Sequence, residues 1–166
     1  MNSDAFERSI AFIRSIGITV TERPIEEETF LPGILISQGG IVIDIEKLKY
    51  PGDVLHEAGH IAVIPEAERP ALHGPDIAAR PERASEEMMA IAWSYAACKH
   101  LDIDPYFVFH DDGYQGGGNQ MADQFAEGKW FGVPMLQYVG MTAEPRMAET
   151  LDRPAYPVMQ QWLRTK

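Results

Sequence analysis

The sequence predicts a single α+β domain, and three observations support this class. Short runs rich in β-branched residues flank a pair of glycines, longer segments carry helical periodicity, and the length of 166 residues suits one domain. Hydrophobic residues make up 45% of the chain and charged residues 23%, as is typical of globular proteins. We therefore expect one domain over residues 1–166, with a small mixed β-sheet and further helices that close the core.

The first elements follow from periodicity and from turn signals. Residues 3–16 predict an amphipathic helix that ends before a glycine. Residues 18–21 predict a first strand. Residues 34–37 and 41–45 predict the two strands of a hairpin, with its turn at the glycine pair 39–40.

The next predicted helix carries two histidines and a glutamate on one turn. Asp53 is expected to cap this helix and Pro65 to end it. His56 and His60 are four residues apart, so their Cβ atoms would lie about 5–6 Å from each other on one helical face. Zinc binds imidazole nitrogen and leaves a fourth position for water in catalytic sites. We therefore expect His56 and His60 to be zinc ligands and Glu57 to be the general base, as in the HExxH motif of metallopeptidases.

A third ligand is expected from a second helix over residues 81–97. Glu87 shares a helical face with Ala90 and Ser94, whose small side chains would allow close approach to the histidine helix. Glu86 points about 100° away from it. We favour Glu87 as the third metal ligand and keep Glu86 as the alternative.

Other ligand sets fit the sequence less well. The metzincin spacing needs glycine and histidine at positions that hold Val63 and Glu66. His73, in a proline-rich segment between the two helices, is a possible substitute ligand. Cys98 is the only cysteine and is expected to be a small core residue, so no internal disulfide can form.

With these motifs, residues 1–100 resemble the gluzincin clan of zinc peptidases, and compact intracellular proteins of the ImmA/IrrE type in particular. The resemblance lies in His56-Glu57-Ala58-Gly59-His60 and in a later helix with Glu87-x-x-Ala90-x-x-Trp93, which is similar to the family's Glu-x-x-Ala-x-x-Phe-Ala signature. It implies a zincin-like fold in which an edge strand lies beside the HExxH helix. Ile91 stands where relatives often carry Asn or Asp to orient a histidine ligand, so Glu86, Asp53 or a backbone carbonyl would have to do this.

Composition limits the partners. A net charge of −11 argues against binding to nucleic acid or to an anionic membrane surface. The N-terminus lacks signal-peptide features and no run of apolar residues is long enough to span a bilayer, so a cytoplasmic location is expected. The expected function is zinc-dependent hydrolysis of a peptide or protein substrate. The alternative is a non-catalytic zinc-binding or regulatory interaction domain.

The last third of the chain is less informative. His110 and Tyr114 border a glycine-rich stretch, and either one is a candidate to lean over the metal and stabilise an oxyanion. Helices that complete the core are expected at residues 121–127, 134–139 and 156–163.

Overall fold

A computed structural model describes residues 3–166, in which helices pack on one face of a small sheet. The helices are α1 Ser3–Ser15, α2 Asp53–Ala62, α3 Arg83–Leu101, α4 Gly118–Ala126, α5 Val133–Tyr138 and α6 Ala148–Leu151. Short 3-10 helices lie in the connections, at Glu66–Ala71, Gly74–Ala79, Pro105–Phe107, Tyr114–Gly116 and Pro145–Met147.

The sheet has three strands, β1 Val20–Glu22, β2 Ile34–Ser37 and β3 Gly40–Ile43, in the order β1-β3-β2. β1 runs parallel to the central strand β3, and β2 runs antiparallel to it. The expected α+β class and the small mixed sheet are therefore confirmed. The hairpin turn is formed by Gln38 and Gly39, with φ of 50° and 71°, and positive φ at both central residues is what a two-residue type I′ hairpin turn requires. Gly40 begins β3 instead of lying in the turn.

Both faces of the β2–β3 hairpin are covered, which explains why these two strands are nearly continuous apolar runs, whereas two of the three residues of β1 are exposed. One face packs on the helices through Ile34, Ile36, Ile41 and Ile43. The opposite face forms a second, small cluster of Ile25, Leu35 and Val42. A buried sheet of this kind gives α2 a rigid support on one side.

Helices α2 and α3 pack against each other more extensively than any other pair of elements. They lie close together at Gly59, where an added Cβ would lie 2.9 Å from the carbonyl oxygen of Ala90. Small residues at this crossing bring the two backbones together. The same contact places the N-terminal turns of α3 beside the histidines of α2.

The C-terminal segment differs from expectation, because residues 156–163 do not form a helix. Several of their backbone N–H groups bond to distant carbonyls. Tyr156 N–H donates to Ala143 at 2.8 Å, and Gln160 N–H donates to Met141 at 2.8 Å. These long-range bonds replace the bonds to the fourth preceding residue that a helix requires. The helices expected at residues 121–127 and 134–139 are present, with slightly shifted ends.

No helix within residues 3–166 is long and apolar enough to cross a membrane.

Candidate metal centre

Helix α2 presents His56 and His60 on the same face, one turn apart. Their Nε2 atoms lie 3.1 Å from each other, and the two rings meet edge to face with centroids 4.7 Å apart. Both side chains are largely buried, with exposed fractions of 13% and 8%. Two imidazole nitrogens therefore converge on one point in a nearly dry environment.

Glu87, on α3, completes this arrangement with one carboxylate oxygen for each ring. Oε1 lies 3.5 Å from His56 Nε2, and Oε2 lies 2.8 Å from His60 Nε2. Ligands of a tetrahedral zinc ion at about 2.0–2.1 Å would be about 3.3 Å apart. The two nitrogens are 3.1 Å apart, close to that value, and each faces a different oxygen of Glu87, at 3.5 and 2.8 Å, so the three residues could together hold a metal ion.

Glu86 faces elsewhere. Its carboxylate is buried and receives two hydrogen bonds from Arg80, at 2.7 and 2.9 Å. Arg80 also pairs with Glu68 at 2.6 Å. This ion pair ties the proline-rich segment to the first turns of α3. The structure thus brings Glu87, and not Glu86, to the two histidines.

Glu57 lies next to the same point. One ligand atom from each of His56, Glu57 and His60 falls within 4.8 Å of the others. Burial raises the pKa of Glu57 to about 7, because desolvation outweighs the attraction of His60, and the charges of Asp53 and Glu87 raise it further. A carboxyl with a pKa near 7 can both accept and release a proton at neutral pH, as a general acid–base group must.

The two histidines differ in their electrostatic environment. Burial lowers the pKa of His56 to about 4, and the charge of His60 acts in the same direction. Burial would also lower the pKa of His60, but the hydrogen bond with Glu87 and the charge of Glu57 outweigh it and raise that pKa. Burial would raise the pKa of Glu87, but the hydrogen bond with His60 and the charges of His56 and His60 outweigh it and lower that pKa. His56 is therefore neutral at neutral pH, the form in which imidazole binds metal.

Asp53 has a different role from the expected cap. Gly52 is the N-cap of α2, with no side-chain cap bond, and Asp53 is the first helical residue. The Asp53 carboxylate Oδ1 lies 2.6 Å from His110 Nε2, and the His110 ring stacks on Tyr50 with centroids 4.3 Å apart. Burial raises the pKa of Asp53 although the bond to His110 opposes the shift. His110 is therefore held by a carboxylate of α2.

Tyr114 lies beside a metal-ligand candidate. Its hydroxyl lies 3.1 Å from His56 Nδ1, and its ring meets the His56 ring edge to face at 5.6 Å. From the sequence, Tyr114 is only a candidate to stabilise an oxyanion. The 58-residue separation from His56 gives no pattern from which this contact could be read.

The remaining candidates lie elsewhere. His73 is exposed at the start of the 3-10 helix Gly74–Ala79, and no contact between it and the two histidines occurs in the described part of the chain. Cys98 is completely buried in the core formed by α3. Burial raises the pKa of its thiol to about 12, so it remains protonated.

Comparison of the chain with protein-family models, with curated proteins and with solved structures gives no match. The functional assignment therefore depends on the geometry of the site and on the motif likeness of its residues.

Proposed function

We propose that this chain is a zinc-dependent peptidase with a zincin-like architecture, similar to gluzincins of the ImmA/IrrE type. His56, His60 and Glu87 would hold the zinc ion, and Glu57 would be the catalytic base. The observation that supports this most strongly is the convergence of two imidazole nitrogens and two carboxylate oxygens within 2.8–3.5 Å, between two helices joined by a close crossing.

The chemistry divides between the ion and the protein. Zinc, when bound, supplies a Lewis acid that polarises water and a carbonyl group. Glu57 accepts the proton of the attacking water and delivers it to the leaving amine, first as general base and then as general acid. The buried setting of the two histidines limits access of bulk water and so strengthens these interactions.

A peptide or protein is the proposed substrate. β2 is an edge strand of the sheet and packs against α2, which carries the site, while Gly74 of the proline-rich segment lies against Ile36 of this strand, so a peptide would pair with its remaining residues. An extended peptide that pairs with an edge strand gains main-chain hydrogen bonds without a specific sequence. A strand beside the ligand helix therefore supports peptides as the substrate class.

One observation favours a second candidate, a structural zinc site. The Glu57 carboxylate is close enough to the histidines to be counted with them as a ligand. If Glu57 bound zinc together with His56, His60 and Glu87, the site would be closed by four protein ligands, as structural zinc sites are. The protein would then be a zinc-binding module without hydrolytic activity.

Glu57→Gln distinguishes the two candidates, with Glu149→Gln on the exposed surface of α6 as the matched control. For each purified protein, zinc content is measured by elemental analysis and hydrolysis is measured with a peptide library. For a peptidase we expect about one zinc per chain in all three proteins, with hydrolysis lost only in Glu57→Gln.

Hydrolysis retained by Glu57→Gln would refute the role of Glu57. Zinc lost from Glu57→Gln, together with an inactive wild type, would instead support the structural site. A wild-type protein that binds no zinc would refute both candidates and leave the regulatory interaction domain.

A further inference from the structure

The glycine-rich loop between α3 and α4 has a specific contact that the proposed mechanism does not use. It places the Tyr114 hydroxyl 3.1 Å from Nδ1 of His56, the ring nitrogen that faces away from Glu87. A histidine that binds metal through one nitrogen usually donates a hydrogen bond from the other, most often to a carboxylate or a carbonyl. Here the group at that position is a phenol.

The positions of the hydrogen atoms follow from the neighbouring contacts. Carboxylate oxygens of Glu87 can only accept, so His60 Nε2, which lies 2.8 Å from Oε2, is the nitrogen that carries a proton. His56 Nε2 lies 3.1 Å from the same His60 nitrogen, and a hydrogen bond between these two nitrogens needs one donor and one acceptor. The other Glu87 oxygen, at 3.5 Å from His56 Nε2, is beyond ordinary N–H···O distance, so His56 Nε2 is left as the acceptor. His56 Nε2 therefore has its lone pair here, and the neutral ring carries its proton on Nδ1.

The Nδ1–H group of His56 then donates to Oη of Tyr114. Resting on the proposed function, we propose that Tyr114 is a positioning residue that keeps His56 in the Nδ1–H tautomer, with the Nε2 lone pair directed at the zinc position. Tyr114 would thus take the orienting role for which sequence analysis named Glu86 and Asp53. Those two carboxylates are instead paired with Arg80 and His110.

The conformation and hydrogen bonds of this loop hold Tyr114 in this position. Tyr114 and Gln115 both have positive φ, at 53° and 57°, a backbone conformation that is sterically unfavourable for residues other than glycine. The Asp111 side chain accepts hydrogen bonds from the backbone and side-chain nitrogens of Asn119, at 3.1 and 3.0 Å, and so ties the two ends together. At Gly118 an added Cβ would lie 2.1 Å from the His110 carbonyl oxygen. The glycines therefore allow the close turn that delivers Tyr114.

The first test uses the metal-free wild-type protein and does not require zinc to bind. Nitrogen-15 NMR of the histidine rings reports which nitrogen carries the proton. We expect His56 to show a protonated Nδ1 and an unprotonated Nε2. A protonated Nε2 with a bare Nδ1 would overturn the proposal, whether or not the protein is a peptidase.

The second test measures zinc affinity of Tyr114→Phe by competition with a chromophoric chelator. Tyr138→Phe, whose ring is 91% exposed, is the matched control. Loss of an orienting partner typically weakens metal binding by about 10–100-fold, and we expect that loss for Tyr114→Phe alone. The His56 ring signals should also move towards the other tautomer, which a purely structural role of Tyr114 would not cause.

Thermal unfolding of the metal-free variants shows whether Tyr114→Phe remains folded. If Tyr114→Phe is unfolded, the nitrogen-15 NMR spectrum of the wild-type protein decides the proposal. Zinc affinity within twofold of wild type and unchanged His56 signals in a folded Tyr114→Phe would overturn the positioning role and leave the proposed function intact. Absence of zinc binding by the wild type would refute the proposed function, while the tautomer measurement would still test the role of Tyr114.

Discussion

Substitution of Gly59 by alanine probes the helix crossing on which the proposed metal centre depends. The added Cβ would lie 2.9 Å from the Ala90 carbonyl oxygen, 3.2 Å from Ala90 Cα and 3.3 Å from Ala90 Cβ. Ordinary contact begins at 3.4 Å, so α2 and α3 must separate by about 0.5 Å at this point. Glu87 lies one turn from Ala90 and moves with α3.

The expected effects on stability and on metal binding differ in size. Overpacking of this kind costs about 1–3 kcal/mol, while the higher helix propensity of alanine returns about 1 kcal/mol. We therefore expect Gly59→Ala to lose only about 1 kcal/mol of unfolding free energy. Metal–ligand distances tolerate changes of about 0.2 Å, which is less than the expected displacement of the Glu87 helix. We expect zinc affinity to fall at least tenfold.

The assay pairs urea unfolding of the metal-free protein with zinc titration against a competing chelator. Gly74→Ala is the matched control, because a Cβ at Gly74 would meet its nearest neighbour, the Ile36 carbonyl oxygen, at an ordinary 3.7 Å. Gly74→Ala should leave zinc affinity unchanged. Equal zinc affinity in Gly59→Ala and wild type would refute the claim that this crossing sets the distance from Glu87 to the histidines.

Two further predictions concern stability. Glu86→Gln removes the buried charge that pairs with Arg80 and leaves Glu68 as the only carboxylate partner of Arg80. We expect the free energy of unfolding, measured in urea, to fall by about 2 kcal/mol. A fall below about 0.5 kcal/mol would contradict the assigned strength of this pair. The backbone N–H of Ile25 is the main cause that lowers the pKa of Asp44 below its ordinary 3.8. The Asp44 carboxylate therefore contributes stability above pH 3.8 that is lost as the pH falls through its lower folded pKa. Asp44→Asn should flatten the decline of unfolding free energy below pH 3.8, and an unchanged slope would count against this contribution.

Sequence patterns within one helix are sufficient to predict the relative positions of side chains on that helix. The positions of His56 and His60 on one helical turn follow from their spacing alone. The choice of Glu87 over Glu86 follows from the face that Glu87 shares with Ala90, and the structure places Glu87 next to both rings. The predicted roles of these residues in zinc binding and catalysis remain to be tested.

Contacts between distant segments could not be predicted from local patterns. Asp53 fits a helix cap by sequence, but its carboxylate bonds to His110, which lies 57 residues away. Residues 156–163 have the apolar content of a helix, yet the N–H groups of Tyr156 and Gln160 bond to the carbonyls of Ala143 and Met141. In each case a tertiary partner replaces the local interaction that the sequence suggests, and no pattern in one segment identifies that partner.

X-ray absorption at the zinc edge of the zinc-loaded wild-type protein measures the ligand set of the proposed centre most directly. The account predicts one zinc per chain with only nitrogen and oxygen ligands at about 2.0–2.1 Å, two of them with the outer-shell scattering of imidazole. His56→Ala should remove one imidazole contribution, and His73→Ala should remove none. A sulfur ligand, a signal without imidazole, or a His56→Ala spectrum identical to wild type would contradict the account.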